Sequence, residues 1–192
     1  MSDSPPPADR PQALTAFFSR PALAVARDLI GARLAIDGVG GIVVETEAYA
    51  PDDPASHSYG GIRNRNRTMF GPPAHAYVYR SYGIHWCLNF VCLRGHAVLI
   101  RALEPQVGMT AMAERRSLDR QRLLCSGPGR LSQALGVDGT MDGLPLDRPP
   151  FSLTLPTEPA GIATGPRIGI TRAAEQPWRF GLADSPFLSR RF

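Results

Sequence analysis

The stretch Val43-Val44-Glu45-Thr46-Glu47-Ala48-Tyr49 sets two carboxylates and a phenol on alternate positions of an otherwise apolar run. On a strand, Glu45, Glu47 and Tyr49 share one face while Val44, Thr46 and Ala48 take the other. For an isolated glutamate the ordinary reading is a solvated edge. Two acids on one face sit about 7 Å apart, within the range of an inverting pair in a carbohydrate hydrolase. One acid alone can serve as a general base or stabilise an oxocarbenium-like sugar.

The other chemistry-bearing residues lie in a window free of acid. Between Pro54 and Leu103 there is no Asp or Glu, while Arg63, Arg65, Arg67, Arg80, Arg94 and Arg101 fall inside it. Such a surplus suits a polyanion, against the alternative of a solvated face balanced by distant acids. The same window holds Tyr77, Tyr79 and Tyr82, then His85 and Trp86. Aromatics interleaved with arginine hold unstacked bases, at about 1–3 kcal/mol per stack. Tyr82 precedes Gly83 at the tip of a predicted hairpin, an exposed place for a tyrosine. It suits a plug that fills the gap when a base is flipped from a duplex.

Other chemistries find little support. Cys87, Cys92 and Cys125 form no C-x-x-C pair, so neither a disulfide framework nor structural zinc is expected. His57, His75, His85 and His96 show no zinc-binding spacing, and no metal or cofactor is expected. All 21 basic residues are arginine, which closes any lysine Schiff-base route.

These residues resemble the methylpurine (3-methyladenine, or alkyladenine) DNA glycosylase family. The matching stretches are Val44-Glu45-Thr46-Glu47-Ala48-Tyr49, His57-Ser58 with Gly60-Gly61, Arg65-Asn66-Arg67 with Met69-Phe70, Tyr77-Val78-Tyr79 with Tyr82-Gly83, Asn89, residues 99–105 and residues 124–128. The resemblance implies a monofunctional glycosylase that excises alkylated or deaminated purines (3-methyladenine, 7-methylguanine, hypoxanthine, ethenoadenine) from double-stranded DNA. It implies that Glu47 is the general base, with Arg101 and the backbone carbonyl of Ile168 on the attacking water. Tyr49, His57 and Tyr79 are implied as base-stacking walls, Tyr82 as the intercalating wedge, and Asn89 as the residue that crowds the 2-amino group of normal guanine. Arg63, Arg65, Arg67 and Arg80 are the expected contacts to the DNA backbone. The connection from Tyr49 to His57 is one residue shorter than the family pattern, and Arg80-Ser81 is more polar than usual before the wedge. Glu45 is left a supporting role.

The elements that must position these groups follow from periodicity and punctuation. Residues 1–12, Pro-rich and polar, read as a disordered leader, and 13–192 as one domain. Helical spacing runs from 13 to 30, with Pro21 opening a second segment. Strands are predicted at 33–37, 42–49, 76–80, 84–92, 97–104, 151–155, 167–170 and 178–182. Helices are expected from Pro105 to about Arg115, and from Gly127-Pro128 to Gly136. Many strands with short connections predict a mainly antiparallel α+β domain. The family adds a curved sheet in a single compact domain, flanking helices and a protruding hairpin. With no apolar run of membrane-spanning length, the default expectation is a soluble cytoplasmic monomer, associated with the nucleoid through DNA.

Overall fold

The computed structural model describes residues 10–192. Of the leader expected at 1–12, residues 1–9 lie outside the described residues, and 10–12 open the first helix. Ser19-Arg20-Pro21 separates α1 (Arg10–Phe18) from α2 (Ala22–Asp28). Pro21 lacks the N–H a continuing helix needs, and it stands just before α2 at φ −56°, ψ 142° rather than inside it. Strand β1 (Arg33–Ile36) then turns into the long β2 (Val39–Tyr49). The loop after β2 contains a 3-10 segment, Asn64–Phe70. It leads to β3 (Ala76–Ser81), β4 (His85–Val91) and β5 (Ala97–Val107). Three helices follow, α3 (Met109–Arg116), α4 (Gln121–Leu124) and α5 (Pro128–Leu135), and then β6 (Phe151–Thr154), β7 (Ile162–Gly165) and β8 (Arg179–Leu182).

All pairings among these strands are antiparallel, in the order β3-β4-β5-β2-β1-β6. β8 joins β2 beside Glu45–Glu47, and β7 extends from β8. The sheet curls into a half-barrel in a single α+β domain, as expected. Every edge-free stretch of β2 needs close backbone neighbours. A Cβ on Gly40 would lie 2.0 Å from the Leu34 carbonyl oxygen, and one on Gly41 1.9 Å from that of Glu104.

The β2–β5 register shifts between Val43 and Glu45 and again between Glu45 and Thr46. Such bulges re-aim side chains beside active sites. Here strict alternation fails at Val44: Val43 and Ala48 enter the main core, while Val44 is buried outside it. Thr46 still faces α2, donating to the Ala26 carbonyl at 2.7 Å. Phe18, Leu131 and Leu135 of the helices, with Leu29 and Ile30 just after α2, pack on Leu88, Phe90, Val98 and Ile100, each at most 1% exposed. Each such burial contributes about 1.5–3 kcal/mol.

Two elements differ from expectation. β5 continues through Pro105 to Val107, and α3 starts only at Met109. Pro105 stands beside the Gly40/Gly41 irregularity, where a strand tolerates a residue that cannot donate. Residues 167–170 form no strand; residues 162–165 do. Gly169 at φ +78° breaks the extended run, and Arg167 is drawn to Asp53. No helix among the described residues is long and apolar enough to cross a membrane.

Candidate active site

β2 and β5 lie side by side with Glu47 opposite Leu99 and Glu45 opposite Ala102, so Arg101 projects from β5 toward both acids. Its Nη1 is 3.2 Å from Glu47 Oε1 and its Nε 3.3 Å from Glu45 Oε1. Glu47 takes two further donors, the Tyr49 hydroxyl on Oε2 and the Ile168 backbone N–H on Oε1, both at 2.8 Å. All three partners are donors, which suits an ionised, acceptor-only carboxylate. Burial and the neighbouring Glu47 carboxylate push the Tyr49 phenol well above its ordinary range, so it remains the donor.

Above this cluster opens a cavity of about 1210 Å³. Tyr49, His57, Tyr79, Tyr82, Asn89, Arg101 and Ile168 all line it, as do Arg63, Arg65 and Arg80. Glu47 does not. It is 0% exposed and lies directly beneath the floor made by its own three donors. Arg67 also lies off the cavity, exposed on the 3-10 segment. Arg63, Arg65, Arg67 and Arg80 are all exposed, and none forms an ion pair among the described residues.

The His57 and Tyr79 rings touch edge to face at 4.4 Å between centroids. His57 Nδ1 is 2.9 Å from the Tyr77 hydroxyl. Burial, with Arg65 nearby, lowers the His57 pKa, so the ring is neutral at neutral pH. Asn89 donates Nδ2 to the carbonyls of Tyr77 and Cys87, which leaves Oδ1 as the amide's free acceptor. Tyr82 caps the β3–β4 hairpin with φ +49°, followed by Gly83 at φ +68°, and Ile84 N–H closes the turn on the Ser81 carbonyl at 2.9 Å. Successive positive φ angles are what tight hairpin turns require. The Tyr82 side chain gains no packing there and is 88% exposed.

Glu45 is not a second acid in the cavity. It is 0% exposed, and its carboxylate accepts from Arg101, Arg179 and twice from Ser189.

Several residues of the site are assigned no role from the sequence. Asn66 is fully buried and pins the loop over the cavity, accepting from Arg63 N–H at 2.6 Å and donating to the carbonyls of His57 at 2.6 Å and Gly61 at 3.1 Å. Arg167 pairs with Asp53 through both terminal nitrogens, Nη1 and Nη2, of its guanidinium. Its guanidinium also lies 4.7 Å from the Tyr49 ring centroid and 5.0 Å from that of Trp178. Ile84, two residues after Tyr82, is 75% exposed. Among the described residues no three His, Cys, Asp or Glu side chains are grouped to hold a metal ion.

Comparison with known proteins gives one consistent match. A model of the methylpurine-DNA glycosylase family matches residues 16–186. A protein of Rhizobium meliloti is 63% identical over 176 residues, covering 92% of this chain and 95% of its own. One of Agrobacterium fabrum is 60% identical over 182 residues, covering 95% and 94%. One of Rhodopseudomonas palustris is 58% identical over 194 residues, covering 100% and 94%. All three bear the name "Putative 3-methyladenine DNA glycosylase".

Proposed function

The chain belongs to the methylpurine-DNA glycosylase family, and from that premise we propose that it flips a damaged purine out of duplex DNA and hydrolyses its N-glycosidic bond with a water activated by Glu47. It is a hydrolase of N-glycosyl bonds that acts in DNA repair of alkylated purines. The observation that carries the mechanistic reading is the position of Glu47. It lies beneath the floor of a cavity walled by Tyr49, His57 and Tyr79, with the exposed Tyr82 at the hairpin beside it.

Tyr82 enters the duplex and fills the space the purine leaves. His57 and Tyr79, in mutual contact, make one wall for the flipped base, and Tyr49 faces them. A neutral His57 suits a base carrying positive charge. Asn89 crowds the 2-amino group of normal guanine. Arg63, Arg65, Arg67 and Arg80 hold phosphates; four such contacts give a log-log salt slope of about −3.6.

A carboxylate offers about four acceptor positions, and two on Glu47 are taken by hydrogen bonds from Tyr49 and Ile168, with Arg101 Nη1 an ion-pair contact beside them. The Arg101 contact, at 3.2 Å the longest of the three, is the one a water can bridge. As the C1′–N9 bond breaks, its electron pair leaves with the purine, and Glu47 stabilises the oxocarbenium-like sugar. The water oxygen bonds to C1′ and its proton passes to Glu47, which leaves an abasic site. The Ile168 carbonyl, from the segment whose N–H holds Glu47, is a further partner for that water. Alkylation at N3 or N7 makes the leaving group cationic, so no general acid is required. With no lysine in the chain, no lysine Schiff base forms, so hydrolysis leaves the DNA strand uncut.

The test is excision from a panel of duplexes, each carrying one lesion: 3-methyladenine, 7-methylguanine, hypoxanthine or ethenoadenine. Release of the cationic alkylpurines as free bases, with no strand cleavage and no borohydride-trapped complex, is the expected result. A chain that binds these duplexes and releases no base would overturn the reading.

A further inference from the structure

The buried cluster behind Glu47 is completed by a segment that the reaction itself does not use. Glu45 Oε1 accepts from Arg101 Nε at 3.3 Å, Arg179 Nη1 at 2.9 Å and Ser189 Oγ at 2.9 Å, and Oε2 accepts from the Ser189 backbone N–H at 2.6 Å. Half of these bonds come from one serine outside every strand and helix. Arg101 Nη2 also reaches Ser189 Oγ, at 3.4 Å.

The next residues serve Arg179 in the same way. Its Nη1 donates to the Arg190 carbonyl at 3.0 Å and its Nη2 to the Arg191 carbonyl at 3.3 Å, while the Phe192 ring lies 3.7 Å from the guanidinium. The strands leave a slot for this segment. A Cβ on Gly181 would stand 2.3 Å from Phe192 Cε2 and 2.9 Å from Leu188 Cδ2, and one on Gly165 3.0 Å from Phe192 Cδ1.

Two routes lead from here to Glu47. One runs from Ser189 to Glu45, then to Arg101, which contacts Glu47. The other runs from Arg179 Nε to the Pro166 carbonyl at 2.9 Å, two residues before the Ile168 N–H that holds Glu47. The cluster balances two carboxylates, Glu45 and Glu47, against two guanidiniums, Arg101 and Arg179. In so buried a site, a donor removed from Glu45 is replaced by a shift of the remaining ones, and Arg101 is shared with Glu47.

We propose that Ser189 is a positioning residue of the active site and that residues 188–192 act as a latch: seated on Gly165 and Gly181, they fix Glu45 and Arg179, and so set Arg101 and the Ile168 amide around Glu47. The proposal rests on Glu47 being the hydrolytic base.

The experiment is single-turnover excision of 7-methylguanine by the full chain at saturating enzyme, per folded molecule, together with the Kd for the same duplex. Ser189→Ala removes the hydroxyl bonds at the network; Gly181→Ala displaces Phe192 and Leu188 without replacing any acid or arginine. Each should lower the rate about tenfold or more while Kd stays within about twofold. Ser189→Thr, which keeps the hydroxyl, should recover most of the rate. A wild-type rate in both Ser189→Ala and Gly181→Ala, or losses that only track Kd or folded fraction, would overturn the latch while leaving the glycosylase reading intact. A wild-type chain that excises nothing would remove the functional reading, and the latch with it.

Discussion

The Tyr49 hydroxyl donates to Glu47 Oε2 at 2.8 Å, so a residue that walls the base cavity also holds the buried acid beneath it. In the proposed mechanism, base insertion and orientation of the carboxylate are coupled through this one side chain. Tyr49→Phe separates the two roles, because it keeps the ring and removes the donor. A hydrogen bond to a charged group contributes about 1.5–3 kcal/mol, so the single-turnover rate should fall about tenfold to a hundredfold with lesion affinity little changed. Tyr49→Ala, which removes both, should in addition weaken lesion binding, by about the 1–3 kcal/mol of a base stack. Titration of both variants against lesion and undamaged duplexes distinguishes the two losses.

Tyr82 holds φ +49° at the hairpin tip and is 88% exposed. Asparagine tolerates that conformation, so Tyr82→Asn removes the ring and spares the turn. The thermal midpoint should be unchanged, while base flipping, followed by the fluorescence of 2-aminopurine beside a lesion, should be strongly reduced. Loss of stability without loss of flipping would mean that Tyr82 serves the fold and not the DNA.

The Arg167–Asp53 pair is buried on both sides, and the cation backs the Tyr49 ring. Removing one partner leaves an uncompensated charge, which costs about 3–5 kcal/mol. Asp53→Ala should lower the urea unfolding free energy by that amount. The effect is larger than expected for Asp147→Ala, whose pair with Arg148 is largely exposed on the arginine side.

His57 and His96 are both lowered below the ordinary 6.5, each mainly by burial. As pH falls through 6.5, the unfolded chain takes up these protons before the native state does. Stability is thus fully present above that pH and lost below it. His96 Nδ1 accepts the Ala22 N–H at 3.3 Å, a bond that protonation abolishes. Denaturant midpoints between pH 8 and 5.5 should fall toward acid by a slope that His57→Gln with His96→Gln reduces; an unchanged slope would assign it to other groups.

Much of the site was legible because its signals are local or compositional. Alternation placed Glu47 and Tyr49 on one face, and the acid-free window drew attention to Tyr79, Tyr82 and Arg101, which the β3–β4–β5 pairing brings to one cavity together with Asn89, a residue that only the family resemblance supplied. The family resemblance supplied His57 and Ile168. What stayed hidden depends on partners that only the fold brings near. Arg167 is 114 residues from Asp53, and Ser189 is 144 from Glu45, with no periodicity to announce either. Alternating Ile168 and Ile170 imitated a strand, but Gly169 at φ +78° turns that segment over the acid instead. The bulge around Glu45 also escaped detection, since an extra residue changes the facing of Val43 and Val44 without changing composition.

The most direct measurement is single-turnover excision by Glu47→Gln on a duplex carrying one 7-methylguanine, with affinity for the same duplex measured in parallel. Glutamine preserves the shape of the side chain and removes its capacity to take a proton. The account predicts a rate lowered by about 10²–10⁴-fold, with binding to the lesion retained. Excision at the wild-type rate by a folded Glu47→Gln would contradict it.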